Sequence, residues 1–336
     1  MININININI DIVLIRHVFK IIMIPWLILI SSCGGGNGSA LTDLEFKDTS
    51  TIITSSTNKN NLTDICITYG GYLSCSLMHD GLQRDFILYV PQTYNAEVSS
   101  PLLFNFHGFG GNAEGQLQNS DFRALAEQNN FILIVPNGSY LAGNRYWNSA
   151  SSGKGVTDDV GFVSVMLETV SQAYTIDLKR VYAAGMSNGG MMSYYLACAL
   201  SSKVAAIASV TGDMSLALMT ECKPSHATAV MHVHGTEDNI VPWERSESES
   251  IKGVVDFWSN YNNCSSRNTA KTSDNADGYG EYLGNLHQYS SCDNQVKVYL
   301  NEIIGMGHIW PTRLGGKDSE EVIWDFLSQF SIDGQL

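Results

Sequence analysis

The sequence has little positive charge. Its 19 lysines and arginines stand against 33 aspartates and glutamates, which gives a formal net charge of −14 and a pI near 4.9. A surface of this sign repels polyanions, which argues against nucleic acid and anionic lipid as partners. A membrane-spanning run is also lacking. The apolar stretch IIMIPWLILI at 21–30 would rise only about 15 Å as a helix, against a hydrocarbon core of about 30 Å.

The first 33 residues have the organisation of an export signal. Arg16 and Lys20 precede the apolar run and small residues follow it, which is the order found in secretory signals. LISSC at 29–33 also resembles a bacterial lipobox, in which Cys33 would be lipidated; an ordinary signal with an incidental Cys33 is the alternative. MININININI at 1–10 is typical of translated low-complexity sequence, so we expect the true start near Val18.

These features predict the location and the domain organisation. We expect a secreted or cell-surface protein, a bacterial outer-membrane or periplasmic lipoprotein. We expect residues 1–33 to form the signal, 34–60 a flexible linker rich in Gly, Ser, Thr and Asn, and 61–336 one main domain. Six further cysteines, an even number, predict three disulfides in an exported chain. Fifteen pairings are possible; sequence neighbours suggest Cys66 with Cys75, Cys198 with Cys222, and Cys264 with Cys292.

Short apolar segments alternate with longer segments of helical period after residue 84. The predicted strands lie at 84–91, 101–108, 131–138, 180–187, 205–212, 227–235 and 295–303, and the predicted helices at 113–130, 158–174, 188–200, 251–261 and 319–330. Several of these strands are apolar on both faces, as a buried parallel sheet requires. We therefore predict an α/β fold, a mostly parallel central sheet with helices on both faces.

A serine between glycines lies at one of the predicted junctions of strand and helix. Ser187 is the central residue of GMSNG at 185–189, a G-x-S-x-G sequence. Glycines flank such a serine where the turn brings backbones too close for a Cβ, and the turn exposes the hydroxyl at the head of the sheet. A tight turn made of small residues is the structural alternative. The position of the motif favours a nucleophile.

A nucleophilic serine needs a base and an acid, in the order Ser, Asp/Glu, His in this architecture. His308 follows the last strand in a glycine-rich loop and is the predicted base; His226 and His287 are worse placed. HGTEDNIVPW at 234–243 offers two acids, of which we prefer Asp238 to Glu237 because a short side chain on a turn can hold an imidazole in one tautomer.

Backbone N–H groups near the serine would complete the site by stabilising an oxyanion. FHGFGG at 106–111 ends a strand, and we expect the N–H groups of Phe109 and Asn188 to form the hole, with Gly110 in reserve and His107 bracing the loop. A competing interpretation is a metal site at His232 and His234 of MHVHG, which share one strand face. Side chains packed beside the sheet explain this pair better, so no metal and no other cofactor is expected.

Five ordered motifs resemble one family of secreted esterases. GMSNGGMMSYYLAC, HGFGGNAEG, HGTEDNIVPW, DDVGF and GMGHIWP are similar to motifs of the α/β-hydrolases that include polyhydroxybutyrate depolymerases and feruloyl and acetylxylan esterases. The resemblance covers roughly residues 64–330. It implies Ser187, Asp238 and His308 as nucleophile, acid and base, and pairing of Cys198 with Cys222 and of Cys264 with Cys292.

The resemblance implies an ester hydrolase but leaves its substrate open. The sequence has no polymer-binding domain after the hydrolase, so we expect soluble hydroxyalkanoate oligomers or small feruloyl or acetyl esters rather than solid polymer. Trp147, Trp243 and Trp310 are the predicted walls of the pocket, although one or two of them would equally fit the core. A cell-surface acyltransferase and a catalytically silent binding protein are the alternatives. The oligomeric state is open.

Overall fold

The computed structural model describes residues 62–149, 157–244, 250–274 and 281–336. The predicted signal with Cys33 and the whole predicted linker lie outside these residues and stay predictions. Within the described part, no helix is both long enough and apolar enough to cross a lipid bilayer.

One eleven-stranded sheet organises the fold, and six of its strands run parallel. The strands are β1 Cys66–Tyr69, β2 Tyr72–His79, β3 Leu82–Tyr89, β4 Ser100–Phe106, β5 Ile132–Pro136, β6 Ser139–Leu141, β7 Asn144–Tyr146, β8 Ile176–Met186, β9 Ala206–Val210, β10 Ala229–Gly235, β11 Ser266–Asp274, β12 Tyr282–Ser290, β13 Val298–Ile303, β14 Arg313–Leu314, β15 Lys317–Asp318, β16 Phe330–Ser331 and β17 Gly334–Gln335. The order in the large sheet is β1-β2-β3-β5-β4-β8-β9-β10-β13-β12-β11. The pairs β6–β7, β14–β15 and β16–β17 are separate hairpins.

Helices cover both faces of this sheet. They are α1 Leu62–Ile65, α2 Ala113–Asn119, α3 Arg123–Asn129, α4 Asp159–Ala173, α5 Asn188–Ala199, α6 Leu216–Glu221, α7 Ile251–Tyr261 and α8 Ser319–Leu327. Side chains of β4 alternate between two cores: Phe104 packs with α4, α5 and α7, and Leu103 packs with α2, α3 and α8. Because successive strand residues point to opposite faces, strands that are apolar throughout can serve both layers.

The predicted strands correspond to β3, β4, β5, β8, β9, β10 and β13, so the mostly parallel sheet with helices on both faces is confirmed. The single helix predicted at 113–130 is wrong, because α2 ends at Asn119 and α3 begins at Arg123. Asn105 donates to the carbonyl of Ser120, and Asp121 accepts from the N–H of Arg123. Ser120 is the C-cap of α2 and Phe122 the N-cap of α3, so the chain leaves the helical conformation between the two helices.

Three disulfides each join one cysteine to the next cysteine along the chain, in the suggested pairs Cys66–Cys75, Cys198–Cys222 and Cys264–Cys292. The first links directly opposed residues of β1 and β2. The second links the end of α5 to the residue after α6. Disulfides persist in oxidising compartments, so this set fits an exported protein.

Candidate active site

Ser187 occupies a one-residue turn between a strand and a helix. β8 ends at Met186 and α5 begins at Asn188, and Ser187 has φ 54° and ψ −119°. Its N–H donates to the carbonyl of Val210 on β9, with an N···O distance of 2.7 Å. A left-handed φ costs a non-glycine residue about 1–3 kcal/mol, so it persists only where surrounding structure holds it.

Glycines around the serine allow three backbone segments to meet. A Cβ on Gly189 would lie 2.2 Å from the carbonyl oxygen of Phe106, and a Cβ on Gly185 would lie 2.5 Å from the backbone of Gly189. Neither position accepts a side chain without movement of backbone. A Cβ on Gly108 would be 3.4 Å from the Cβ of Ser187, so the loop after β4 lies against the serine.

Asp238 and His308 form a hydrogen-bonded pair at the same edge of the sheet. His308 Nδ1 and Asp238 Oδ2 are 2.7 Å apart, and the Asp238 side chain is fully buried. Asp238 Oδ1 accepts from the N–H groups of Ile240 and Val241, at 2.8 and 2.9 Å. Burial alone would raise the pKa of Asp238, but hydrogen bonds from His234, His308 and these two N–H groups hold it well below its usual range. An ionised carboxylate requires His308 Nδ1 to carry a proton, which leaves Nε2 as the basic nitrogen.

The loops that carry this pair are fixed to one another. Glu237 N–H donates to Met306 O at 3.0 Å, and Thr236 N–H donates to Ile303 O at 3.0 Å. A Cβ on Gly235 would lie 2.0 Å from Met306 O, so only glycine fits there. The parallel strands β8, β9, β10 and β13 are neighbours, so Ser187, Asp238 and His308 each follow a strand that ends at this edge.

The alternative acid and bases lie elsewhere. Glu237 is exposed, and it is Asp238 that contacts His308. His287 contacts Glu302 at 2.9 Å in the β12–β13 pair, and His226 contacts the carbonyls of Ala227 and Ser201 before β10 begins. The structure thus brings the preferred acid and base together and leaves both other histidines outside the pair.

His107 braces the loop beside Ser187. Its Nε2 accepts the N–H of Gly138 at 2.9 Å and its Nδ1 donates to Gly108 O at 2.7 Å. Burial lowers the pKa of His107 to about 4, and the positive charge of Arg145 adds to this, against the Gly108 bond. The ring is therefore neutral near pH 7, and its two hydrogen bonds join the backbone of Gly138 to that of Gly108.

The N–H groups considered for the oxyanion hole differ in whether they already have a backbone acceptor. Gly110 N–H donates to Arg145 O at 2.7 Å, so Gly110 cannot be the reserve donor that we expected. Asn188 is the first residue of α5, where an N–H has no partner one turn earlier in the helix. The positive end of a helix dipole also favours negative charge at this point. Phe109 lies in the loop against Ser187, with its side chain 57% exposed.

His232 and His234 do not form the metal site considered above. His232 Nε2 and His234 Nδ1 are 2.9 Å apart, and the remaining nitrogens contact Tyr194 and Val241. All four ring nitrogens therefore face protein partners. Across the described residues, no group of three or more His, Cys, Asp or Glu side chains has the geometry to hold a metal ion.

Residues 95–276, more than half of the chain, match the phospholipase/carboxylesterase family. The chain belongs to this family. Among curated relatives, a bifunctional acetylxylan esterase/xylanase of Neocallimastix patriciarum is 29% identical over 76% of this chain and 35% of its own length. Feruloyl esterase B of Piromyces equi is 28% identical over 74% of this chain and 46% of its own. The chain thus spans less than half of each of these two relatives.

Solved structures share the fold of this family member. The acetyl xylan esterase of Aspergillus awamori superposes with a TM-score of 0.58 at 16% identity, over 77% of this chain and 99% of that one. A thermostable esterase superposes with a TM-score of 0.53 at 16% identity, over 78% of this chain and 63% of that one. The predicted α/β-hydrolase fold and the predicted resemblance to feruloyl and acetylxylan esterases are confirmed.

Two of the three tryptophans predicted to line the pocket are buried in the core of the protein. Trp147 is 1% exposed and its Nε1 donates to His107 O at 2.9 Å. Trp310 is 5% exposed and packs edge-on against Phe122. Both rings therefore pack inside the protein rather than at its surface. Trp243 is half-buried, with its ring 6.1 Å from that of His234.

A support for the serine turn was missed from the sequence. Asn188 Oδ1 accepts the N–H of Trp147 at 2.6 Å, and its Nδ2 donates to Trp147 O at 3.0 Å. The next N–H, that of Asn148, donates to Asp159 Oδ2 at 2.7 Å, and Asp159 Oδ1 is 2.6 Å from the buried Arg84. Only the resemblance to DDVGF gave any signal for Asp159, since the pairing joins residues 75 positions apart.

Proposed function

We propose that the chain is a serine carboxylic ester hydrolase that works through an acyl-enzyme. Ser187 is the nucleophile, His308 the general base and acid, and Asp238 the carboxylate that orients it. The N–H groups of Phe109 and Asn188 form the oxyanion hole. The observation that carries this proposal is the 2.7 Å contact between His308 Nδ1 and the buried Asp238, on the sheet edge where Ser187 makes its turn.

The chemistry follows from these positions. Ser187 Oγ attacks the ester carbonyl carbon while His308 Nε2 takes the hydroxyl proton. The carbonyl oxygen becomes an oxyanion, which the two N–H groups and the start of α5 stabilise. The intermediate collapses as the protonated ring of His308 gives its proton to the leaving alkoxide. Water then attacks the acyl-enzyme by the same steps, with His308 again as base, and releases the acid and free Ser187.

The names of the relatives support acetyl and feruloyl esters as substrates. Acetylxylan and feruloyl esters are the activities in those names, and we propose feruloyl or acetyl esters as the substrate class, with hydroxyalkanoate oligomers as the alternative. The three disulfides support an extracellular location. Lipidation of Cys33 and attachment to a bacterial outer membrane complete the proposal. A Cys33→Ser variant that stays with the membrane fraction would contradict this last point.

The test compares three esters and two serine variants. The purified protein is assayed on methyl ferulate, acetylated xylan and hydroxybutyrate oligomers, and the release of each acid is measured. Ser187→Ala should lower kcat by about 10⁶, because a triad acts as a unit. Ser171→Ala is the matched control, since this hydroxyl only donates to Leu167 O within α4.

Three outcomes would contradict the proposal. Full activity of Ser187→Ala on any ester would show that Ser187 is not the nucleophile. Failure of an organophosphate to label Ser187 in the wild-type protein would favour a silent binding protein. Transfer of the acyl group to an added alcohol, with no free acid formed, would instead identify an acyltransferase.

A further inference from the structure

A buried row of hydrogen-bonded side chains runs from α5 to the proposed catalytic acid. Tyr194 Oη lies 2.6 Å from His232 Nδ1, and His232 Nε2 lies 2.9 Å from His234 Nδ1. His234 Nε2 then lies 2.9 Å from Val241 O and 3.3 Å from Asp238 Oδ2. Tyr194, His232 and His234, here called the histidine row, are all 0% exposed.

The contacts of the histidine row fix the position of each proton. His234 Nε2 faces two oxygen acceptors, Val241 O and the carboxylate of Asp238, so this nitrogen carries the proton. A neutral imidazole has one donor and one acceptor, which makes His234 Nδ1 an acceptor for His232 Nε2–H. His232 Nδ1 is in turn an acceptor for the Tyr194 hydroxyl. One set of tautomers therefore satisfies every contact.

Burial keeps His232 and Tyr194, the first two members of the histidine row, uncharged. It holds the pKa of His232 well below its ordinary value and the pKa of Tyr194 well above it. The groups with charge that face the row are Asp213, whose field acts on Tyr194, and Asp238 at the other end. In its neutral form His232 keeps one tautomer, with Nε2–H as the donor to His234 Nδ1.

We propose that His234 is a positioning residue for Asp238, and that His232 and Tyr194 hold it in the donor tautomer. His234 Nε2–H and His308 Nδ1–H donate to the same oxygen, Oδ2. A second donor withdraws part of the negative charge that His308 would otherwise face. His234 thereby holds the carboxylate in the plane of the catalytic ring and reduces the negative charge that stabilises a proton on His308. The assignment rests on the proposed triad.

The test removes the donors one at a time. His234→Leu takes away the N–H, whereas His234→Gln keeps an N–H near the position of Nε2. Tyr194→Phe removes only a hydroxyl at the far end of the row. Tyr182→Phe is the matched control: this hydroxyl is equally buried and donates to Phe330 O at 2.8 Å, on the other face of the sheet.

Each variant has an expected kinetic result. His234→Leu should lower kcat/KM about 10- to 100-fold, the value of a hydrogen bond to a charged group, and move the acid limb of the pH profile upward by on the order of one unit. His234→Gln should restore most of both. Tyr194→Phe should move the limb in the same direction with a smaller loss, and Tyr182→Phe should leave the limb in place.

A second readout separates this proposal from the proposed function. The pKa of the His308 imidazole is measured by NMR on ¹⁵N-histidine-labelled protein, in both the wild-type and the Ser187→Ala background. An upward shift in His234→Leu or Tyr194→Phe supports the positioning role even if no ester is turned over. An unchanged His308 pKa in folded His234→Leu and Tyr194→Phe overturns it. If His234→Leu does not fold, Tyr194→Phe decides the question.

Discussion

Replacing Asp238 by asparagine tests the proposed acid with little change of shape. Oδ1 accepts two backbone N–H groups, from Ile240 and Val241, and these bonds would hold the asparagine carbonyl in the same place. The amide nitrogen would then occupy the position of Oδ2, where two histidine nitrogens now donate. The asparagine NH₂ group would then face an N–H group of His308 and an N–H group of His234.

The ring of His308 can relieve this conflict by changing tautomer. Its Nδ1 would become the acceptor for the asparagine amide, and Nε2 would carry the proton. In that form Nε2 cannot take the proton of Ser187. The wrong tautomer in such a triad costs about 10⁴ in kcat, or about 5 kcal/mol of transition-state stabilisation.

The assay is kcat/KM for a nitrophenyl ester across a range of pH. Asp238→Asn should lose about 10⁴-fold near pH 7. The matched control is Glu237→Gln, because Glu237 is the adjacent acid, is exposed and shares no contact with His308; this variant should keep wild-type activity. A loss below tenfold in Asp238→Asn, or a larger loss in Glu237→Gln, would refute the assignment of the acid.

Three further predictions concern stability and packing. The pKa of His107 is lowered to about 4, so the unfolded chain binds more protons between pH 6.5 and 4, and the free energy of unfolding should fall by about 3 kcal/mol over that range; urea titrations should show a smaller fall in His107→Gln, and equal falls would contradict this. Gly189→Ala places a Cβ 2.2 Å from a backbone oxygen and should cost at least about 1–3 kcal/mol, while Gly307→Ala, with nothing within 4 Å, should melt like wild type; equal melting temperatures would refute the packing argument. Arg84→Met breaks a buried ion pair and should cost about 3–5 kcal/mol, against less than about 1 kcal/mol for Arg123→Met, whose ion pair with Asp121 is partly exposed; similar midpoints in urea would show that burial does not matter here.

The parts of the fold with an apolar pattern were predictable from the sequence. β4, β5, β9 and β10 are buried along their length, and each appears as a short apolar run. β11 and β12 were missed because their residues are mostly polar: SRNTAKTSD has no apolar run, and its strand is defined by pairing with β12. Pairing partners of an edge strand are a property of the tertiary structure, which local periodicity does not contain.

The order of serine, acid and histidine along the chain predicted the pair Asp238–His308. The buried side chains that hold the site in place were not predictable. The sequence orders serine, acid and base because each follows a strand that ends at one edge. The contacts Tyr194–His232 and Arg84–Asp159 join residues 38 and 75 positions apart. Nothing local distinguishes these side chains from solvated or merely buried ones. The same holds for Trp147, whose burial depends on the loop that Asn188 binds.

The outermost strand has a consequence for how copies of the protein behave at high concentration. β11 ends the large sheet, and its sequence SRNTAKTSD contains Arg267 and Lys271 and no large apolar side chain. An edge strand can be a template for intermolecular β-pairing, and charged or polar residues along it make that association unfavourable. Copies of the protein at high concentration should therefore resist fibrillar aggregation through the β11 edge of the sheet.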